Sequence, residues 1–218
     1  PWFALLWKLR SQHVSRATTM RVENTMKTKH LLLSTVLAAV LAASPAAFAR
    51  QFEGFTFDET TKLGDQELKL NGVGLRGVLF IKGYAAGLYL SDKAGTGAAA
   101  TAAKGAKRLH IRMLREASAS DFQKSFINGM RKNSSETELA KLKDRIDEFE
   151  KTIEGIGSIK QGDTIKLDFV PATGFTMSVN GAVKGKAIEG ADFYNTLLEI
   201  FVGDKPVDNT LKKGLLGS

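Results

Sequence analysis

Apolar and polar residues alternate with different periods along the chain, and the changes of period divide it into elements. Phe55 and Phe57 alternate weakly with polar neighbours, a turn follows at Gly64-Asp65, and Leu68-Lys69-Leu70 returns, which predicts an opening β-hairpin. Asn71-Gly72-Val73-Gly74 interrupts the pattern, after which residues 76–90 read as one long extended run. Within it Val78, Phe80, Lys82, Tyr84, Ala86, Leu88 and Leu90 share one face, while Leu79, Ile81, Ala85 and Tyr89 share the other. Both faces are mostly apolar, so the run is predicted to be a central strand. Gly83 and Gly87 inside it mark either a bulge or a close approach of another group to the backbone.

Residues 93–107, rich in Ala, Gly, Thr and Lys, predict a loop with a short helix, and residues 108–115 alternate as a strand. A helix is expected behind Ser120 as N-cap, with Phe122, Phe126 and Met130 on one side. Ser135 and Glu138 form a capping box ahead of Leu139, Leu142, Ile146, Phe149 and Ile153, an amphipathic helix closed by Gly155. Strands return at 164–170 and 175–179, and Asn180-Gly181 predicts a hairpin into 182–188. Asp192 is expected to cap a helix carrying Phe193, Leu197, Ile200 and Phe201, and a last short helix spans about 208–213. Strands at both ends with helices between them predict an α+β fold in which helices cover one face of an antiparallel sheet.

Ahead of this region, Lys27 and Lys29 follow Met26, a 13-residue apolar run spans residues 31–43, and Ala47-Phe48-Ala49 fits an A-x-A cleavage site. The run is well short of the roughly 20 residues that span a bilayer. Residues 26–49 are therefore expected to be a signal peptide cleaved before Arg50, placing the product in the periplasm or outside the cell. Residues 1–25, which begin with Pro and carry both tryptophans, are expected to be an upstream extension of the reading frame. Residues 50–218 are expected to form a single domain.

Processing changes the meaning of the charge. The 218 residues hold 31 Lys plus Arg against 23 Asp plus Glu, a net charge of +8 that hints at nucleic acid. Without residues 1–49 there remain 25 basic and 22 acidic residues, a net of +3. These are interspersed, as in Lys141-Leu142-Lys143-Asp144-Arg145, so no nucleic-acid partner is expected, nor a membrane span once the signal is removed.

The complete absence of cysteine excludes disulfides, thiolate metal sites, iron–sulfur clusters and a cysteine nucleophile. Beyond residue 49 the only histidine is His110, mid-strand, and no G-x-S-x-G elbow accompanies it, which disfavours a serine triad and a zinc site alike. Gly72-Val73-Gly74 lacks the third glycine of a dinucleotide loop and leads into a strand. No cofactor and no metal are expected. Arg76 and Tyr84 stand out, because eight residues apart on an uninterrupted strand they face the same way. A guanidinium buried under helices needs an anionic partner. That partner is either a bound carboxylate, also met by the phenol, or an internal Asp or Glu, and spacing alone favours the internal bridge.

Two blocks carry a family resemblance. Residues 70–77 (Leu-Asn-Gly-Val-Gly-Leu-Arg-Gly) with 80–90 (Phe-Ile-Lys-Gly-Tyr-Ala-Ala-Gly-Leu-Tyr-Leu), and the C-terminal residues 193–217 with Leu198-Glu199-Ile200-Phe201-Val202-Gly203-Asp204, resemble the chalcone isomerase-like family. The resemblance implies an open-faced β-sandwich with a ligand cleft between sheet and helices. In the plant isomerases of this family an Arg, matched by Arg76, supports a phenolate as it adds to an enone, and hydroxyl groups organise a water and the developing enolate. Here Tyr84 and Ile200 stand at the positions of the family's two threonines, Phe122 lies near its tyrosine, and Asn128 lies close to its asparagine. Lost hydroxyls remove transition-state donors. An Arg with a Tyr resembles instead the non-catalytic, fatty-acid-binding branch, which implies Arg76 as ionic anchor, Tyr84 as neutral donor, and Phe122, Phe126, Leu197, Ile200 and Phe201 as contacts for an apolar tail. The expected function is thus an exported, non-catalytic binding protein for a fatty acid or similar apolar carboxylate. The alternatives are an intramolecular lyase of the chalcone isomerase type, using Arg76 and Tyr84, and a structural or partner-binding envelope protein.

Overall fold

The computed structural model describes residues 49–218. The expected extension and all of the signal segment except Ala49 lie outside the described residues.

Seven strands form one antiparallel sheet: β3 (Thr60–Leu63), β4 (Gln66–Val78), β5 (Ile81–Leu90), β6 (Lys107–Met113), β9 (Thr164–Val170), β10 (Gly174–Val179) and β11 (Ala182–Ile188). Their order is β11-β10-β9-β6-β5-β4-β3. Two short pairs stand apart, β1 (Ala49–Phe52) with β2 (Phe55–Asp58), and β7 (Ala117–Ser118) with β8 (Ser158–Ile159). The helices are α1 (Gly97–Ala102), α2 (Ala119–Asn133), α3 (Glu136–Glu154), α4 (Ala191–Val202) and α5 (Asn209–Leu215). Alternation along the strands sorts their side chains. Tyr84, Ala86, Leu88, Leu109, Ile111 and Met113 join the core under the helices, whereas Ala85 and Tyr89 join a smaller cluster on the opposite face. This is the α+β arrangement read from the pattern, with the helices on one face of the sheet.

The opposite face is not bare. The β1–β2 hairpin lies over it, with the Phe57 ring edge-on to His110 at 5.4 Å and the Arg112 guanidinium 4.6 Å from the centroid of Phe55. Arg108, on the same face, grips Asp168 with two bonds of 2.7 Å and donates to Thr61 at 2.8 Å.

Several boundaries differ from the sequence reading. The run 76–90 is not one strand: the chain reverses at Leu79-Phe80 and its two halves pair as β4 and β5. Neither turn residue is Gly, Asn, Asp or Pro, so composition carried no signal for the reversal. Residues 71–74 do not interrupt the strand; β4 runs through them because their special residues serve packing. Asn71 is buried, donates to Ala94 O and Leu215 O, and accepts from Ala94 N. A Cβ on Gly72 would collide with the backbone oxygen of Gly214, and one on Gly74 would sit 2.5 Å from Leu211 O, so the two glycines let α5 lie against the strand. A Cβ on Gly87 would likewise sit 2.8 Å from the Phe57 ring, so Gly87 marks a close approach. Gly83 marks a bulge: Arg76 pairs with Tyr84 and Gly77 with Lys82, which leaves Gly83 as the extra residue of β5, as Asn71 is of β4 between Leu70 and Gly72. The Gly64-Asp65 turn joins β3, not Phe55 and Phe57, to β4.

Helix caps shift too. Ser118, not Ser120, caps α2 by accepting from Asp121 N at 3.1 Å. Gly190 precedes α4, and Asp192 within its first turn receives a two-pronged bond from Arg145 of α3 at 2.6 and 2.7 Å. The Ser135–Glu138 capping box forms as expected, as does the Asn180-Gly181 hairpin, whose φ angles are 52° and 83°.

Candidate functional site

The β4–β5 hairpin places Arg76 directly across from Tyr84. Directly opposed residues of an antiparallel pair share a face, so the two side chains meet between strands instead of along one. The guanidinium carbon lies 5.6 Å from the centre of the Tyr84 ring. Beside them opens a cleft of about 240 Å³ between the end of the sheet and the helices. Its sheet side is Arg76, Gly77, Ile81, Gly83, Tyr84 and Met113. Its helix side is Phe122, Ser125 and Phe126 of α2, Ile200 and Phe201 of α4, and Val207 between α4 and α5. Arg115, Glu116 and Asp121 also line it. The inner end is aromatic: Phe126 packs edge-on against Phe201 at 5.9 Å and against Phe149 at 5.3 Å.

Neither polar group at the centre is consumed by the fold. Tyr84 is only 7% exposed, and no described protein group accepts its hydroxyl, whereas the other tyrosine of the helix-side core, Tyr194, donates to Leu167 O at 3.1 Å. Burial pushes the Tyr84 phenol well above its ordinary pKa; nearby Arg76 opposes that shift and Asp208 adds to it. The group is therefore a neutral donor at any physiological pH. Half-buried Arg76 has no ion pair among the described residues. Asp208 is near, but its two oxygens accept from Leu211 N at 2.9 Å, capping α5, and from Gly77 N at 3.2 Å. The internal bridge that spacing favoured is thus not formed among the described residues, because the neighbouring carboxylate is held by backbone donors.

Six of the expected site residues line this cleft: Arg76, Tyr84, Phe122, Phe126, Ile200 and Phe201. Leu197 does not; it lies one turn earlier on α4 and is fully buried in the core. Asn128 does not either: it is exposed and, with Gly129, Lys132 and Lys205, borders an adjoining depression of about 220 Å³ that shares Arg76, Ser125 and Val207 with the cleft. Sequence reasoning missed Met113, Ser125 and Val207. Met113 shares strand parity with Ile111, and Ser125 follows Phe122 by three on a helix, so both were within reach of periodicity. Val207 lies in a connection and had no such signal.

Among the described residues no group of three or more His, Cys, Asp or Glu gathers to hold a metal. No helix among them is long and apolar enough to cross a membrane.

No curated protein sequence matches the chain. Among solved structures, the Arabidopsis thaliana fatty-acid binding protein AtFAP1 is similar, with a TM-score of 0.61 over 78% of this chain and 96% of that one, at 18% sequence identity. At that identity the likeness concerns the fold. The model of a family described as chalcone isomerase-like matches residues 49–217, the segment that includes the whole sheet and the cleft. The chain belongs to the chalcone isomerase-like family.

Proposed function

We propose that the protein is a non-catalytic binder of a fatty acid or similar apolar carboxylate, held in the cleft beside Arg76 and Tyr84. One observation carries the reading: a half-buried guanidinium and a buried phenol face each other across β4 and β5, with no protein acceptor for either among the described residues, at the edge of an apolar cleft. A carboxylate satisfies both at once. Charge-assisted hydrogen bonds of this kind are each worth about 1.5–3 kcal/mol, and an aliphatic chain gains about 0.8 kcal/mol per methylene removed from water. A cleft of about 240 Å³ takes on the order of eight water-sized groups. The head group and first several methylenes fit inside, and the rest of a longer chain lies along the open mouth. At the positions where the isomerases of the family carry hydroxyls, Phe122 and Ile200 present hydrocarbon to the cleft, which supports binding over turnover. The similarity in fold to a fatty-acid binding protein points the same way. Export through residues 26–49 puts the binding function in the periplasm or outside the cell.

Organic extraction of the purified protein followed by mass spectrometry, with calorimetric titration of fatty acids, tests this. Co-purified lipid and an affinity lost on Arg76→Met are the expected outcome. Absence of any fatty-acid binding, or turnover of a chalcone abolished by the same substitution, overturns it.

A further inference from the structure

The two hairpin turns at 79–80 and 180–181 contrast sharply. The β10–β11 hairpin turns on Asn180-Gly181, both at positive φ, with polar and small residues that suit water. The β4–β5 hairpin turns on Leu79-Phe80, with Leu79 at φ 56°, a region that branched apolar residues rarely enter. Leu79 is 93% exposed, Phe80 101% and the adjoining Ile81 51%. Apart from Val183, these are the only exposed large apolar side chains among the described residues. The turn itself requires none of them, as the other hairpin demonstrates.

We propose that this Leu79-Phe80-Ile81 tip docks the protein on a lipid bilayer by inserting its apolar side chains among the acyl chains. Three features select a bilayer over a protein partner. The tip is a convex protrusion, which hydrocarbon surrounds on all sides but which a protein could meet only with a matching socket. Its exposed area is on the order of 400 Å², about half the roughly 800 Å² that each partner contributes to a stable protein interface. It is also continuous with the cleft, because Ile81 belongs to both tip and lining. An inserted tip therefore holds the cleft mouth at the membrane, where apolar carboxylates partition; that last consequence, though not the docking itself, rests on the binding function proposed above.

Charge plays a minor part in the attachment. Lys82, next to the tip, is paired with Glu53 at 2.7 Å. The three side chains of the tip are uncharged and the adjoining Lys82 is paired, so docking is expected to depend on apolar insertion and only weakly on ionic strength or anionic lipid.

Vesicle flotation with the purified, ligand-free protein tests the proposal, using pure phosphatidylcholine and equal parts of phosphatidylethanolamine and phosphatidylglycerol. Wild-type protein is expected to float with both. Phe80→Asp and Leu79→Asp are expected to weaken vesicle affinity at least about tenfold, Val183→Asp to leave it unchanged, and added salt to alter wild-type binding less than about twofold. A Phe80→Trp variant is expected to show a blue shift of its fluorescence when vesicles are added. Absence of vesicle binding by the wild type, equal loss in Val183→Asp, or tip-dependent self-association in the ultracentrifuge without vesicle binding overturns the proposal. Fatty-acid titration in vesicle-free buffer separates the two readings: Phe80→Asp is expected to retain ligand affinity while losing vesicles, and Arg76→Met to lose ligand affinity while still floating.

Discussion

Replacing Arg76 with Met removes the guanidinium and keeps an unbranched stem in place. In the ligand-free protein the substitution gives up a cation–π contact with Tyr84 at 5.6 Å, worth about 0.5–1 kcal/mol. It also removes a half-buried charge that has no ion pair among the described residues, and so relieves a desolvation cost. The two effects oppose each other, and folding stability is expected to change by less than about 1 kcal/mol, toward either sign. Ligand affinity should respond quite differently. A guanidinium fork on a carboxylate makes two charge-assisted bonds, and losing about 3 kcal/mol of that interaction weakens Kd roughly a hundredfold. Urea denaturation of ligand-free protein, paired with calorimetric titration of a fatty acid, measures both quantities on the same variant. A functional anchor leaves the denaturation midpoint nearly in place and collapses affinity. The opposite result, a stability loss of about 3 kcal/mol or more with affinity unchanged, is what removing one partner of a buried ion pair produces, and it would refute the assignment of Arg76 as a ligand anchor.

Tyr84→Phe deletes only the hydroxyl and is expected to weaken fatty-acid binding about tenfold; combined with Arg76→Met in a titration cycle, its effect should shrink, since both groups act on one carboxylate. Gly72→Ala places a Cβ against the backbone of Gly214 and Leu215, which cannot retreat as a side-chain tip can, so chemical denaturation should register a loss of about 3 kcal/mol. Asp168→Ala strands the Arg108 guanidinium on the far face and is expected to cost about 3–5 kcal/mol in the same measurement. His110 has its pKa lowered to about 3, first by burial and then by Lys166, Arg112 and Arg108 around it. Its unfolded value is near 6.5, so the unfolded chain binds the extra proton first, and stability is full above about pH 6.5 and falls as pH drops toward 3. Denaturation midpoints between pH 4 and 7, compared with those of His110→Phe, should show a shallower pH slope in the variant; an identical slope would place the acid sensitivity elsewhere.

Periodicity reached the elements whose patterns are local. The Ser135–Glu138 box and the apolar stripe behind it mark α3 because capping and amphipathicity repeat within a few residues. Asn180-Gly181 marks the β10–β11 turn because its backbone needs positive φ. The reversal at Leu79-Phe80 escaped for the converse reason, since the residues there follow from their surroundings and not from turn preference. Parity along an imagined strand put Arg76 and Tyr84 on one face; cross-strand pairing does so in fact, and the agreement is a coincidence of spacing about the turn.

The chain by itself determined that the protein is α+β with an antiparallel sheet, because strand and helix periods, caps and the Asn-Gly turn are written in neighbouring residues. It also determined, through the absence of cysteine, that disulfides, thiolate metal sites and a cysteine nucleophile are closed to the domain. Tertiary structure alone decided which polar groups are left over. Whether Arg76 finds an internal acid depends on where Asp208, more than a hundred residues away, directs its oxygens, and those are taken by backbone N–H groups of Leu211 and Gly77. Long-range packing likewise explains Gly72 and Gly74 of β4, which make room for α5, and it separates Phe201 at the cleft from Leu197 in the core, one helical turn apart. Such outcomes are set by distances between segments remote in the chain, for which no local period exists.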